Sequence, residues 1–214
     1  MEEARKRVAV IGYTGTIGKH VVEALEDYNN GRTFEIVRAG RKGPQKVDLE
    51  RTTSISEFLK KVGKLDAIIS CAGSQYWGPL EKLDRKSLDF SFRNKLGGQI
   101  DLAIQSLAHL NDNGVVILTS GFLSEIALPG GIGASIVNSG LNGFVRAAAT
   151  ETKRGTRIVA ISPGFIEESK YPDSVRKGLG EVSAKVVAKS YLRALLVGIS
   201  GKVITVTSEG VHEN

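Results

Sequence analysis

Gly12, Gly15 and Gly18 stand three residues apart, directly after the apolar run Val8-Ala9-Val10-Ile11, and Lys19 to Tyr28 then continues with a helical period. A strand, a glycine turn and a helix in that order can hold a pyrophosphate. Gly12 permits the tight turn, Gly15 lets a phosphate approach the backbone, and Gly18 lets the helix pack close to the strand. The helix N-terminus adds free N–H groups and a positive dipole end. Tyr13, Thr14, Thr16 and Ile17 fill the turn between the glycines. The plainer alternative is a βα turn with no ligand, and the strand-turn-helix context weighs against it.

A second group of residues follows the apolar segment Phe34-Glu35-Ile36-Val37-Arg38-Ala39. Here a dinucleotide-binding chain places an acid for a free ribose 2′-hydroxyl or a base for a 2′-phosphate. Arg38, Arg41 and Lys42 supply positive charge, and no carboxylate competes until Asp48. The pattern points to NADP(H) rather than NAD(H); the alternative is that Arg41 is an ordinary surface residue. Further along, Cys71-Ala72-Gly73 puts small residues where a cofactor would lie against backbone. Asn94 and Lys95 are polar residues amid Phe90, Phe92, Leu96, Ile100 and Leu102, and a buried polar pair needs a reason because desolvation without partners costs free energy.

The elements that must position these groups alternate along the chain. Strands are predicted at Val8–Ile11, Phe34–Ala39, Lys46–Leu49, Leu65–Ser70, Val115–Leu118, Arg157–Ile161 and Lys202–Thr207. Helices are predicted from Lys19 to Tyr28, from Ser54 to Val62, from Asp84 to about Leu110, from Ala134 to about Thr152 and from Ser183 to about Val197. Asn29-Asn30-Gly31 ends the first helix with residues that tolerate the left-handed region. Ser54-Ile55-Ser56-Glu57 has the spacing of a capping box, and Asn111-Asp112-Asn113-Gly114 reads as a turn. Gly140 and Gly143 weaken the Ala134 helix and point to a close helix-helix contact, within or between subunits. Strands alternating with helices give an α/β fold with a parallel, doubly wound sheet. Ligands bind such sheets at the carboxyl ends of the strands. The loops at 74–83, 122–133 and 165–180 are therefore expected to shape a pocket.

Twenty-five of the 214 residues are glycine, above the usual share of about 7%, and they cluster in loops. The length suits one domain, residues 1–214. A single cysteine, Cys71, excludes an internal disulfide and, with no CxxC or histidine-rich spacing, gives no expectation of a metal site. Cys71 at a strand end reads as a packed residue rather than a nucleophile; His20, His109 and His212 are scattered singly. The net charge of +6 is dispersed without aromatic interleaving, so nucleic acid is not the expected partner. No stretch approaches the roughly 18 apolar residues that span a bilayer, and the N-terminus does not resemble a secretory signal. A cytoplasmic protein acting on a small molecule is the expectation.

Taken in order, these motifs resemble the short-chain dehydrogenase/reductase family over essentially the whole chain. Gly12 to Gly18 matches its cofactor turn, Asp48, followed by Leu49, its adenine-side acid, and Cys71-Ala72-Gly73 its Asn-Ala-Gly segment with the asparagine replaced. Asn94 falls at its helix asparagine, Ser120 at its active-site serine, and Pro163-Gly164, continued by Phe165 and Ile166, at its turn beside the nicotinamide. The resemblance implies a Rossmann-type doubly wound parallel sheet of about seven strands flanked by helices. It also implies a homodimer or homotetramer built on the helices Asp84–Leu110 and Ala134–Thr152.

The family's Tyr-x-x-x-Lys pair is missing: alignment of Asn138-Ser139-Gly140-Leu141-Asn142-Gly143-Phe144 puts Ala134 at the tyrosine and Asn138 at the lysine. Ala134 has no proton to give, and Asn138 carries no charge. Three readings follow. One is an NADP(H)-dependent oxidoreductase that positions its substrate with Ser120 and draws a proton from water, Lys95, Tyr76 or Tyr171. Another is a non-redox enzyme (an isomerase, dehydratase or cyclase) using Ser120 and Asn138 as hydrogen-bond donors. The third is an NADP(H)-binding sensor without chemistry.

Overall fold

The apolar run at the start of the chain forms β1 (Lys6–Ile11) in the middle of the sheet, and its residues divide between two cores. Val8 and Val10 face one side and Ala9 and Ile11 the other, all at most 1% exposed. A strand covered on both faces must be apolar throughout, because side chains alternate. The structure, a computed structural model, describes residues 4–169 and 180–214.

After β1 come α1 (Thr16–Asp27), β2 (Phe34–Gly40), β3 (Gln45–Lys46), α2 (Thr52–Val62), β4 (Leu65–Ser70) and α3 (Arg85–Ser91). A π-helical turn, Phe92–Gly97, joins α3 to α4 (Gly98–Ser106). The chain continues through β5 (Leu110–Thr119), α5 (Ile132–Ala148), β6 (Arg157–Pro163), β7 (Phe165–Ile166), β8 (Glu181–Val182), α6 (Ala184–Leu196), β9 (Val203–Thr207) and β10 (Gly210–Glu213). The main sheet has the order β10-β9-β6-β5-β4-β1-β2-β3. Every neighbour pair in it is parallel except β9 with β10. The seven parallel strands are those the sequence predicts; β10 adds an antiparallel edge, and β7 with β8 forms a small separate pair.

On one face α1 and α6 supply Val21, Leu25, Val187 and Tyr191 to the core. On the other, α2, α4 and α5 supply Ile55, Leu59, Leu102, Leu141 and Val145. Strand order reverses between β1 and β4, which opens a crevice beyond their carboxyl ends.

Four local expectations are corrected. The third strand is only Gln45–Lys46, so Asp48 and Leu49 lie in the loop beyond it. The capping box does not form: α2 begins at Thr52, and the Ser54 hydroxyl instead accepts from the Asp48 amide at 3.0 Å. The long helix from Asp84 ends at Ser106 and is broken by the π turn, although Asp84 does cap it by accepting from the Ser87 amide. Residues 111–114 fall within β5, with Asn113 at φ 61° bending the backbone inside the strand. Ser183 caps α6 through the Val186 amide, as its sequence position suggests.

Candidate functional site

The glycine turn between β1 and α1 is built of backbone. Gly12 adopts φ +80° and donates its N–H to the Ala39 carbonyl, while Gly15 N–H donates to the Gly12 carbonyl at 3.0 Å. A Cβ on Gly18 would sit 2.1 Å from the Gly12 oxygen, so only glycine lets the helix approach this closely. The first turn of α1 has no side-chain cap and no acidic residue. Its leading N–H groups and positive dipole end therefore stay available to an anion. A diphosphate fits this cradle.

From the turn, a groove of about 710 Å³ runs over the ends of β2 and β4, bordered by Thr14, Arg41, Lys42, Asp48, Leu49 and Asn94. A second cavity of about 300 Å³ continues from it across the ends of β5 and β6. The two share Cys71, Ala72 and Gly73, so they form one cleft. Thr16, Ile17, Ser120, Asn138, Pro163, Gly164, Phe165 and Ile166 border the second part.

Three of the sequence candidates stand elsewhere than expected. Arg38 does not border the groove; it pairs with Glu26 of α1. In register with Val10, it projects toward the α1 face of the sheet, opposite to Ala39. Tyr13 packs its ring against the backbone at Gly43, where a Cβ would lie 2.9 Å from the phenol oxygen, and so props the Arg41–Gly43 loop rather than lining the cleft. Asn94 belongs to the groove and not to the group around Ser120. Its Oδ1 accepts from the Ser74 amide at 2.9 Å and its Nδ2 donates to Glu50.

Neighbouring residues on a helix point about 100° apart, and Lys95 turns the other way, into the second cavity. Its ammonium donates to the Ser120 carbonyl at 2.9 Å, and the residue is only 8% exposed. Burial pulls its pKa down to about 8. A Cβ on Gly73 would meet the lysine stem at 3.0 Å, so this glycine gives Lys95 its channel. Ser120, at the end of β5, donates its backbone N–H to the Ile161 carbonyl. Asn138 comes from α5 and lies against Gly121, where a Cβ would be 2.7 Å from its Nδ2. Ala134, one helical turn earlier, is buried and borders the same cavity.

The Ser120 Oγ and the Asn138 Oδ1 are both buried and have no hydrogen-bond partner. An unmet buried polar atom costs about 1–3 kcal/mol, and a ligand oxygen or N–H entering the cavity would recover that cost. Trp77, Phe122, Leu123 and Phe165 supply an apolar wall. The loop candidate Tyr171 lies outside the described residues, and Tyr76 bends back to Pro79, with its hydroxyl 3.4 Å from that carbonyl.

A supporting network escaped the sequence reading. Gln99 donates from Nε2 to the Thr119 carbonyl and accepts at Oε1 from the Thr119 N–H, both at 2.9 Å. The Thr119 hydroxyl donates to the Ser70 carbonyl, so the buried Tyr191 hydroxyl donates to it at 2.6 Å. Together these clamp the ends of β4 and β5. The signal for Gln99 was its position four residues after Lys95, on the same helix face. Burial pushes the neighbouring Cys71 thiol up to about 12, which leaves it protonated and unreactive. Among the described residues no cluster of His, Cys, Asp and Glu could hold a metal ion. None of their helices is long and apolar enough to cross a membrane.

Comparison with known proteins agrees with this geometry. A family model described as enoyl-(acyl carrier protein) reductase matches residues 22–208. Versicolorin reductase 1 of Aspergillus parasiticus is 30% identical over 79% of this chain and 63% of its own length. Hydroxynaphthalene reductase arp2 of Aspergillus fumigatus is 23% identical over 81% of this chain. The chain spans about 63% of the length of that reductase too. Among solved structures, the protein lin1944 of Listeria innocua superposes with a TM-score of 0.89 at 33% identity, covering 94% of this chain and 99% of that one. A small-chain dehydrogenase solved in complex with NADPH has the same fold, with a TM-score of 0.84 at 23% identity over 95% of this chain and 97% of its own. With the cleft at the β1/β4 reversal and a family match over most of its length, the chain belongs to the short-chain dehydrogenase/reductase family.

Proposed function

We propose that the chain is an NADP(H)-dependent oxidoreductase that interconverts a small carbonyl compound and its alcohol without the family's Tyr/Lys pair. The observation that carries this reading is the continuous cleft, whose phosphate cradle at Gly12–Gly18 leads past Arg41 and Lys42 in one direction and to Ser120 in the other. The α1 N-terminus would hold the diphosphate, Asp48 and Leu49 the adenine side, and Arg41 with Lys42 a 2′-phosphate. Cys71 to Gly73 and Pro163 to Ile166 would flank the nicotinamide end. When bound, the nicotinamide supplies or accepts a hydride. The chain's own part is to orient the substrate oxygen with Ser120 and Asn138 and to keep water from the apolar wall. The reductase relatives and the NADPH-bound structure support the reading by analogy.

The reading includes a cytoplasmic homodimer or homotetramer joined along α4 and α5, where Ile104 and Ile136 are 57% and 39% exposed. Gly140 already meets Leu96 within the chain, where a Cβ would be 2.9 Å away, so its part in that contact is internal. Gly143 has nothing within 4 Å and stays open to a partner.

The test is nicotinamide oxidation, followed by absorbance, against a panel of small ketones and quinones. Turnover with NADPH supports an oxidoreductase. Tight NADPH binding with no turnover across the panel favours the sensor reading, and conversion of a substrate without nicotinamide oxidation favours the non-redox one.

A further inference from the structure

The missing tyrosine leaves the reaction without an obvious proton carrier, and one buried cation borders the place where the carrier must act. Lys95 reaches the cavity from the π turn, Ser120 from the end of β5 and Asn138 from α5; all three are more than nine-tenths buried. Two of them present an unpartnered polar atom. Lys95 has three N–H bonds, and the structure gives them one acceptor, the Ser120 carbonyl. Among the described residues no carboxylate pairs with it. The cavity wall opposite is apolar, from Trp77, Phe122, Leu123 and Phe165.

We propose that Lys95 Nζ is the proton carrier of this site, and that with the Ser120 hydroxyl it seats the reacting oxygen of a compact, mainly apolar carbonyl substrate, while Asn138 Oδ1 accepts from the hydroxyl of the alcohol form. The proposal rests on the dinucleotide reading for its reductant. With a reduced nicotinamide dinucleotide as hydride donor, a C–H bond forms at the carbonyl carbon and the C=O π pair moves to oxygen. The Nζ–H bond breaks as the O–H bond forms, and the neutral amine regains a proton from water. The reverse reaction uses the neutral amine as base. The Ser120 carbonyl is the fixed seat that aims the ammonium.

The group has few electrostatic neighbours. Among the described residues bordering the cavity, Lys95 is the one charged side chain. Cys71, at the end of β4, and Tyr191, reached through Thr119, are titratable, and burial drives both upward, Cys71 to about 12. Ala134 and Asn138, neither of them charged, are what α5 presents to the cavity. Glu50 lies across Asn94 in the other half of the cleft. Lys95, brought down to about 8 by burial, is thus the group that changes charge near neutrality.

Benzoate is a suitable probe because its carboxylate stays ionised and its ring suits the apolar wall. Calorimetric titrations with benzoate, between about pH 6.5 and 9.5, are run on the protein alone and saturated with NADPH. The expected result is a benzoate Kd that rises about tenfold per pH unit above about 8, as one proton is lost. Lys95→Met should bind benzoate weakly and without this pH dependence. Lys95→Arg, which stays charged, should bind without the rise. A flat Kd in the wild type, or Lys95→Met indistinguishable from it, overturns the proposal. If Lys95→Met does not fold, ¹³C-lysine spectra of the wild type and Lys95→Arg decide: no lysine signal moving with benzoate also overturns it. NADPH binding measured in the same cell separates the two claims. Loss of NADPH binding with benzoate behaviour intact sinks the dinucleotide reading alone.

Discussion

The two halves of the cleft are made by different means. The half proposed to hold the diphosphate is backbone: one strand, one turn and one helix, contiguous from Val8 to Asp27, with free N–H groups at the helix N-terminus. The half proposed for the reaction is side chain: Lys95, Ser120 and Asn138 arrive from three elements and meet in a cavity none of them could form alone. Binding a diphosphate needs a conformation, and glycine spacing announces conformations. Handling a proton needs burial and a missing partner, and those emerge only when distant elements pack.

That difference predicts where each half breaks. The largest effect is expected from Lys95→Met, which should slow carbonyl reduction by about 10² to 10⁴ while leaving NADPH affinity as it was; steady-state rates beside a binding titration check both. Gly18→Ala should do the opposite. A Cβ 2.1 Å from the Gly12 oxygen forces α1 away from β1, and overpacking of this kind costs up to about 3 kcal/mol. Thermal melts should show the loss of stability, and NADPH affinity should fall with it. Tyr191→Phe removes a buried donor from Thr119 and should cost about 1–2 kcal/mol, read as a shift in urea midpoint at constant slope.

A pH dependence of stability is also expected. Lys95 has a folded pKa of about 8 against an ordinary 10.5. Between these values the unfolded chain binds more protons than the folded one, so stability rises with pH across that window. Cys71, raised from 9.0 to about 12, opposes it above 9.0, because there the folded chain keeps the proton. The Lys95 contribution is isolated as the stability of wild type relative to Lys95→Met, which should climb between about pH 8 and 10.5. No climb in that difference would mean that the buried ammonium is not destabilised.

The same contrast explains how much was legible in the sequence. Runs such as Val8–Ile11 and Leu65–Ser70 are apolar because both faces are covered, and that pattern survives in the sequence as a strand. Gly210–Glu213 left no such trace, since its residues are half-exposed or exposed and pair along one edge only. The Ser54 box does not form because the hydroxyl accepts from the Asp48 amide instead, a contact set by how the chain turns after β3 and not by the local spacing. Arg38 has the charge a 2′-phosphate needs but not the face: strand alternation turns it toward Glu26. Asn94 and Lys95, adjacent in the sequence, look like one polar pair until the rotation of about 100° between helix neighbours places them in different halves of the cleft.

The most direct test of the central claim is a calorimetric comparison of NADPH and NADH on the wild type and Arg41→Ala. Arg41 and Lys42 border the groove without an acid at the end of β2. The prediction is tight NADPH binding, weaker NADH binding, and a loss of about tenfold or more in NADPH affinity alone for Arg41→Ala, as removal of a charge-assisted hydrogen bond implies. Failure of NADPH to bind, or equal NADPH and NADH affinities unmoved by Arg41→Ala, would contradict the account.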